Sequence, residues 1–87
     1  MMKRGILVYD HTELEWRAWI GQQSYWVSQG QLLELRISNR YFKAFFEKDI
    51  SEWFVTLDNE VSFSLRVNEV YKIRLLTNEF ILVDTPF

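Results

Sequence analysis

Five basic residues recur at alternate positions of segments with a strand-like pattern, and their side chains could bind an anionic group. They are Arg36, Lys43, Arg66, Lys72 and Arg74. Guanidinium and ammonium groups bind the oxygens of phosphates and carboxylates. Tyr41 and Phe45 fall in the same pattern and offer rings for stacking. We predict that these seven residues form a face that binds a protein or a nucleic acid.

The elements that position these residues are strands, because hydrophobic side chains recur with a period close to two. The segments 33–37 and 61–67 alternate without a break, and 71–75 and 53–57 follow the same pattern. No stretch offers an amphipathic helix of three turns. The sequence therefore predicts six or seven short antiparallel strands.

Residues opposed in an antiparallel pair share a face, so the apolar positions predict the turns. A two-residue turn at Asn39-Arg40 pairs segment 33–37 with segment 42–46 and puts Arg36 opposite Lys43. A three-residue loop at 58–60 pairs Leu57 with Val61.

The last predicted hairpin, with a loop at 68–70, places Arg66 opposite Lys72. Like charges directly opposite each other destabilise a sheet, so two such pairs indicate an anionic partner. The alternative is a solvated face with Glu34 and Glu47 as nearby counter-ions. Acids otherwise concentrate in the loops.

A flat sheet of exposed short strands would aggregate, so the strands must close or pack on themselves. We expect one domain over residues 1–87: a small six- to seven-stranded antiparallel barrel, SH3-like or OB-like. The alternative is a two-sheet β-sandwich. Aromatic side chains on the second faces of strands fit a strand that bends between sheets or an exposed binding patch. These are Tyr41, Phe45, Phe54 and either Trp16 or Trp19.

Fifteen aromatic residues supply the core of a chain that has no cysteine. Each buried ring removes roughly 150–250 Å² from water. We expect Trp26 and Trp53 in the core. Trp16 and Trp19 lie three positions apart on one strand, so they face opposite sides, and one of them points away from the core.

The sequence lacks the motifs that would indicate catalysis. His11 is the single histidine and lies in a turn beside Asp10, without the further ligands that a metal site needs. No nucleophile elbow and no glycine-rich phosphate loop occurs. We therefore predict a non-enzymatic protein with no catalytic residue, no cofactor and no metal site.

The net charge of −2 gives no global attraction to nucleic acid or membrane. The apolar run after the basic N-terminus is too short for a signal peptide or a membrane span, so a cytoplasmic protein is expected. An acidic protein is the expected partner, nucleic acid is the alternative, and no membrane contact is expected. A homodimer is a further form in which such a face could act.

Short motifs spread over most of the chain resemble a family of small, uncharacterised proteins of Gram-positive bacteria. Many of these proteins are carried on phages and other mobile elements, and they are grouped as a domain of unknown function. The resemblance implies a small β domain in a bacterial or phage cytoplasm and transfers no activity. The motifs are Lys3-Arg4-Gly5 with Leu7 and Tyr9, Gly30 with Glu34-Leu35-Arg36-Ile37, Asn39-Arg40-Tyr41, Trp53-Phe54 with Leu57, Leu65-Arg66, and Tyr71 with Arg74.

Overall fold

Nine strands and one short 3-10 turn make up the regular structure of the computed structural model, which describes residues 1–50 and 52–83. No helix within these residues is long and apolar enough to cross a membrane. The strands are β1 (Lys3–Asp10), β2 (Glu15–Ile20), β3 (Gln23–Val27), β4 (Leu32–Ile37), β5 (Arg40–Lys48), β6 (Trp53–Leu57), β7 (Val61–Ser64), β8 (Tyr71–Leu75) and β9 (Ile81–Leu82), with the 3-10 turn at Thr77–Glu79.

Two antiparallel meanders are joined into one sheet by a strand that comes late in the chain. The first meander is β1-β2-β3 and the second is β4-β5-β6-β7. Strand β8 lies between them and pairs with β1 on one side and β4 on the other. Strand β9 adds to the free side of β3, so the order across the sheet is β7-β6-β5-β4-β8-β1-β2-β3-β9.

The sheet curls, because its links are too short for a flat arrangement. Strands β3 and β4 are four positions apart, which is about 19 Å in a flat sheet. The link from Val27 to Leu32 could span at most about 18 Å if fully extended, and Gly30 bends it with φ +92°. The rings of Phe63 on β7 and Tyr71 on β8 accordingly meet at 6.1 Å between centroids.

The core occupies the concave side of the curl. Alternate residues of the long strands fill it, and Trp16, Leu33, Phe46 and Ile73 are fully buried. Trp53 is buried as predicted. The prediction for Trp26 is wrong: this side chain is half-buried and lies outside the core cluster, because it pairs across the sheet with Arg17 on the other face.

The all-β, antiparallel prediction is confirmed, but the strand number and the arrangement differ from the expectation. The described residues form nine strands rather than six or seven, in a single sheet that is not closed. Strands β7 and β9 are its two edges and do not pair with each other.

The predicted opposition of Arg36 and Lys43 is wrong, because the hairpin is shifted by two residues. Arg36 lies opposite Tyr41, and Lys43 lies opposite Glu34. The turn is Ser38-Asn39, with φ values of 50° and 68°. A two-residue hairpin turn of this type needs positive φ at both central positions, and asparagine tolerates that conformation better than arginine does.

The predicted opposition of Arg66 and Lys72 is also wrong. Strand β7 pairs with β6, and Lys72 lies opposite Ile6 of β1. The backbone N–H of Leu65 still donates to Trp53 at 2.9 Å, so the chain leaves β6 only after this residue. The loop predicted at 58–60 is confirmed by the pairing of Leu57 with Val61.

Candidate functional site

Six of the seven predicted site residues lie together on the convex side of the sheet, which we call the outer face. Successive residues of a strand alternate between faces, and these six have the parity opposite to the buried residues of their strands. Strands β8, β4 and β5 are adjacent, so the six side chains share one surface. They are Arg36, Tyr41, Lys43, Phe45, Lys72 and Arg74.

Arg66 does not belong to this surface. It lies in the link between β7 and β8, and its backbone N–H donates to the hydroxyl of Tyr71 at 2.8 Å. Tyr71 packs against the core, on the side of β8 opposite to Lys72. Arg66 therefore lies beside Phe63 and Tyr71 and not with the six residues of the outer face.

A row of charged side chains crosses the outer face. Lys43 lies opposite Glu34, Glu34 opposite Arg74, and Arg74 opposite Arg4. The Nε of Arg74 donates to Glu34 Oε1 at 2.5 Å. Its guanidinium carbon also lies 4.1 Å from the ring centroid of Tyr41. Arg74 is thus fixed between an acid and an aromatic ring.

Two opposed cations do exist among the described residues, and the sequence did not predict them. Arg4 and Arg74 are Cα partners on the outer face. Like charges at such a position repel, and the ion pair of Arg74 with Glu34 offsets part of that cost. Finding this pair from the sequence would have required the pairing of β1 with β8, which lie at opposite ends of the chain.

The remaining predicted residues differ in how strongly they are held. The guanidinium of Arg36 donates to Asn39 Oδ1 in the hairpin turn at 2.8 Å. Lys43 and Lys72 are exposed and form no ion pair with any described residue. Phe45 is 39% exposed beside its cross-strand partner Leu32 at 51%.

A second cluster on the outer face was not predicted. The Arg17 guanidinium lies 4.8 Å from the Trp26 ring centroid and pairs with Asp10. The backbone N–H of Glu13 lowers the pKa of Asp10, against an opposing effect of burial, and the N–H of Thr12 and the Arg17 guanidinium lower it further. The alternation of β2 was the available signal, since it places Arg17 on the face opposite to Trp16.

An open pocket of about 380 Å³ lies on the concave side of the sheet, next to the core. Trp53 and Leu65 line it, and Leu14 reaches it from the turn after β1. The Nζ of Lys48 lies 4.8 Å from the Trp53 ring centroid. The pocket is lined mainly by apolar side chains.

Groups suited to metal binding are absent from residues 1–50 and 52–83, where no three histidine or acidic side chains converge. His11 is exposed and makes an edge contact with Tyr9, with 4.9 Å between the ring centroids.

Comparison with protein-family models, curated proteins and solved structures finds no match. The resemblance to the family of small bacterial and phage proteins stays a prediction.

Proposed function

We propose that this protein is a non-enzymatic, cytoplasmic binding module whose outer face binds an acidic protein surface. The curled sheet acts as an open barrel that supports this face. The observation that carries the proposal is the row of cations on β8, β4 and β5, fixed at Arg74 and bordered by exposed apolar side chains.

Exposed apolar side chains lie among the cations of the outer face. An antiparallel sheet that faces water on one side normally carries polar residues there. On this outer face Ile6 is 40%, Leu32 51% and Phe45 39% exposed. Exposed apolar patches mark surfaces that bind other proteins, and aromatic residues and arginine are enriched there.

The charge of the face favours an acidic partner. On β8, β4 and β5 it carries four cations and two carboxylates. Both carboxylates are engaged: Glu34 by Arg74, and Glu47 by the Thr56 hydroxyl at 2.6 Å. Lys43 and Lys72 thus remain available to an external acid.

Nucleic acid is less favoured than protein by the same geometry. The Arg74 guanidinium already covers one side of the Tyr41 ring, which reduces the area on which a base could stack.

A pair of charge-reversal variants tests the proposal. Lys43→Glu/Lys72→Glu changes the outer face. Lys3→Glu/Arg40→Glu makes the same change in net charge at exposed positions of the opposite parity. Each protein is used to capture partners from a lysate of a Gram-positive bacterium, and the captured protein is then purified and titrated at several salt concentrations.

The proposal predicts an acidic partner that binds the wild type and the Lys3→Glu/Arg40→Glu control equally. The same partner should bind Lys43→Glu/Lys72→Glu at least about tenfold more weakly. Equal binding to all three proteins would contradict the proposal. A parallel titration with single- and double-stranded oligonucleotides distinguishes the alternative: binding that falls steeply with salt and is lost in the outer-face variant would assign the face to nucleic acid.

A further inference from the structure

Strand β7 forms one edge of the sheet, and no described residue pairs with its outward side. An exposed edge presents free N–H and C=O groups to any extended chain, and proteins usually protect such an edge with lysine, proline or a bulge. Strand β7 has the sequence Val61-Ser62-Phe63-Ser64, with neither charge nor proline.

The hydrogen bonding of β7 to β6 shows which groups point outward. The N–H of Leu65 donates to Trp53, and Phe63 and Val61 are the next residues of the same parity paired with β6. In an antiparallel strand, alternate residues direct both backbone groups to the same edge. The N–H and C=O groups of Ser62 and Ser64 therefore point away from the sheet.

A groove of about 430 Å³ runs beside this edge. Ser62, Phe63 and Ser64 form one side, and Glu69 and Tyr71 line it together with Arg66. The rings of Phe63 and Tyr71 meet edge to face, which gives the groove an aromatic floor.

The walls of the groove decide between two occupants. The edge of a second folded copy brings its whole sheet with it, and that sheet would meet Glu69 and Tyr71. A single extended segment needs only one strand spacing of about 4.8 Å. Arg66 is exposed, and its side chain has no partner among the described residues, so it offers a cation to an acid on that segment.

We propose that β7 binds an extended peptide segment of a partner protein by strand addition, with an apolar side chain opposite Phe63 and an acidic residue next to Arg66. The backbone groups of Ser62 and Ser64 supply the hydrogen bonds, and the Phe63–Tyr71 floor contacts the apolar side chain. This surface is separate from the outer face and does not depend on the function proposed above.

A random heptapeptide library displayed on phage is the first probe, and the selected peptides are synthesised with a fluorescent label for anisotropy titration. Ser62→Pro/Ser64→Pro removes the two outward N–H groups, at positions where an edge strand tolerates proline. It also removes the hydrogen bond from the Ser64 hydroxyl to Glu52. Ser62→Thr/Ser64→Thr retains both groups and is the matched control.

We expect selected peptides to carry an apolar and an acidic residue at neighbouring positions and to bind the threonine control like the wild type. The proline variant should bind them at least about tenfold more weakly. In the wild-type complex, amide exchange of Ser62 and Ser64 should slow by a similar factor, a measurement that decides the matter if the proline variant fails to fold.

The inference would be overturned if no peptide is enriched, or if the proline variant binds the peptides as tightly as the wild type does. A wild-type dimer that the proline variant abolishes would also overturn it, because the edge would then bind a second copy. Binding that is lost in Lys43→Glu/Lys72→Glu but retained in the proline variant would place the peptide on the outer face and also count against the edge.

Discussion

The Nη2 of Arg17 lies 2.7 Å from Oδ2 of Asp10, and each side chain is only 15% exposed. The same arginine packs over Trp26 of β3, and the same carboxylate accepts the N–H groups of Thr12 and Glu13 in the turn after β1. This one ion pair therefore connects three strands and a turn on a face that faces away from the core.

Removing the cation from this pair should destabilise the protein. Arg17→Met keeps the apolar stem over Trp26 and leaves the Asp10 carboxylate largely buried without its partner. We expect a loss of about 2 kcal/mol in the free energy of unfolding, measured by urea denaturation followed by tryptophan fluorescence. Lys72→Met, at an exposed unpaired site, should change it by less than about 0.5 kcal/mol. Equal losses of stability in the two variants would contradict a stabilising role for the Arg17–Asp10 ion pair.

Acid should weaken the fold through Asp10. Its pKa in the folded protein is lowered from 3.8, first by the Glu13 N–H, so the carboxylate stabilises the fold above pH 3.8. That contribution is lost as the pH falls through the lower, folded value. Asp10→Asn should therefore show a flatter decline in stability below pH 3.8 than the wild type does. Identical profiles in urea denaturation from pH 7 to strong acid would disprove the coupling.

The position of Gly5 should tolerate no side chain. An added Cβ would overlap the carbonyl oxygen of Trp19 and lie 2.6 Å from Cδ1 of Ile20. Because a backbone atom blocks the site, β1 would have to move from β2, and we expect Gly5→Ala to cost about 3 kcal/mol or more. Gly21→Ala is the control: it has open space but a φ of +63°, so it should cost about 1 kcal/mol. Thermal and urea unfolding would compare the stabilities of the two variants. A larger loss for Gly21→Ala than for Gly5→Ala would refute the close approach of Gly5 to the Trp19 backbone.

The hairpin turn between β4 and β5 should respond to backbone preference at Ser38. Its φ of 50° suits asparagine and strains a β-branched residue. We expect Ser38→Asn to raise stability by about 0.5 kcal/mol and Ser38→Val to lower it by about 1 kcal/mol. Position 38 is exposed, so contacts with the core do not affect the comparison of the two variants. Equal stability of the two variants would argue for a different turn.

The faces of the strands could be predicted from the sequence, but the pairings could be predicted only in part. Period-two alternation placed Tyr41, Phe45 and Lys43 on one surface, and the structure agrees. A shift of two residues preserves every face, so alternation could not separate the pairing of Arg36 with Tyr41 from its pairing with Lys43. Positive φ at Ser38 and Asn39 makes that distinction.

Long-range pairing explains the remaining differences. The alternation predicts that β7 and β8 form a hairpin, whereas β8 pairs with β1, some 65 residues earlier in the chain. No pattern within β1 or β8 indicates that these two strands pair. For the same reason the sequence did not predict the pairing of Arg4 with Arg74, and it wrongly placed Arg66 on the predicted face. The Arg17 cluster was not predicted for a different reason: all five cations of the predicted face belong to residues 36–74, whereas Arg17 lies on β2.

The central position of β8 also sets an order of events during synthesis. Until residues 71–75 leave the ribosome, β1 and β4 each have one edge without a partner, and neither meander can complete the shared core. Pairing with β8 then closes contacts that are distant in sequence, which slows folding and prolongs the exposure of those edges. A nascent chain that stops short of Tyr71 would thus be a target for chaperones and proteases rather than a smaller folded domain.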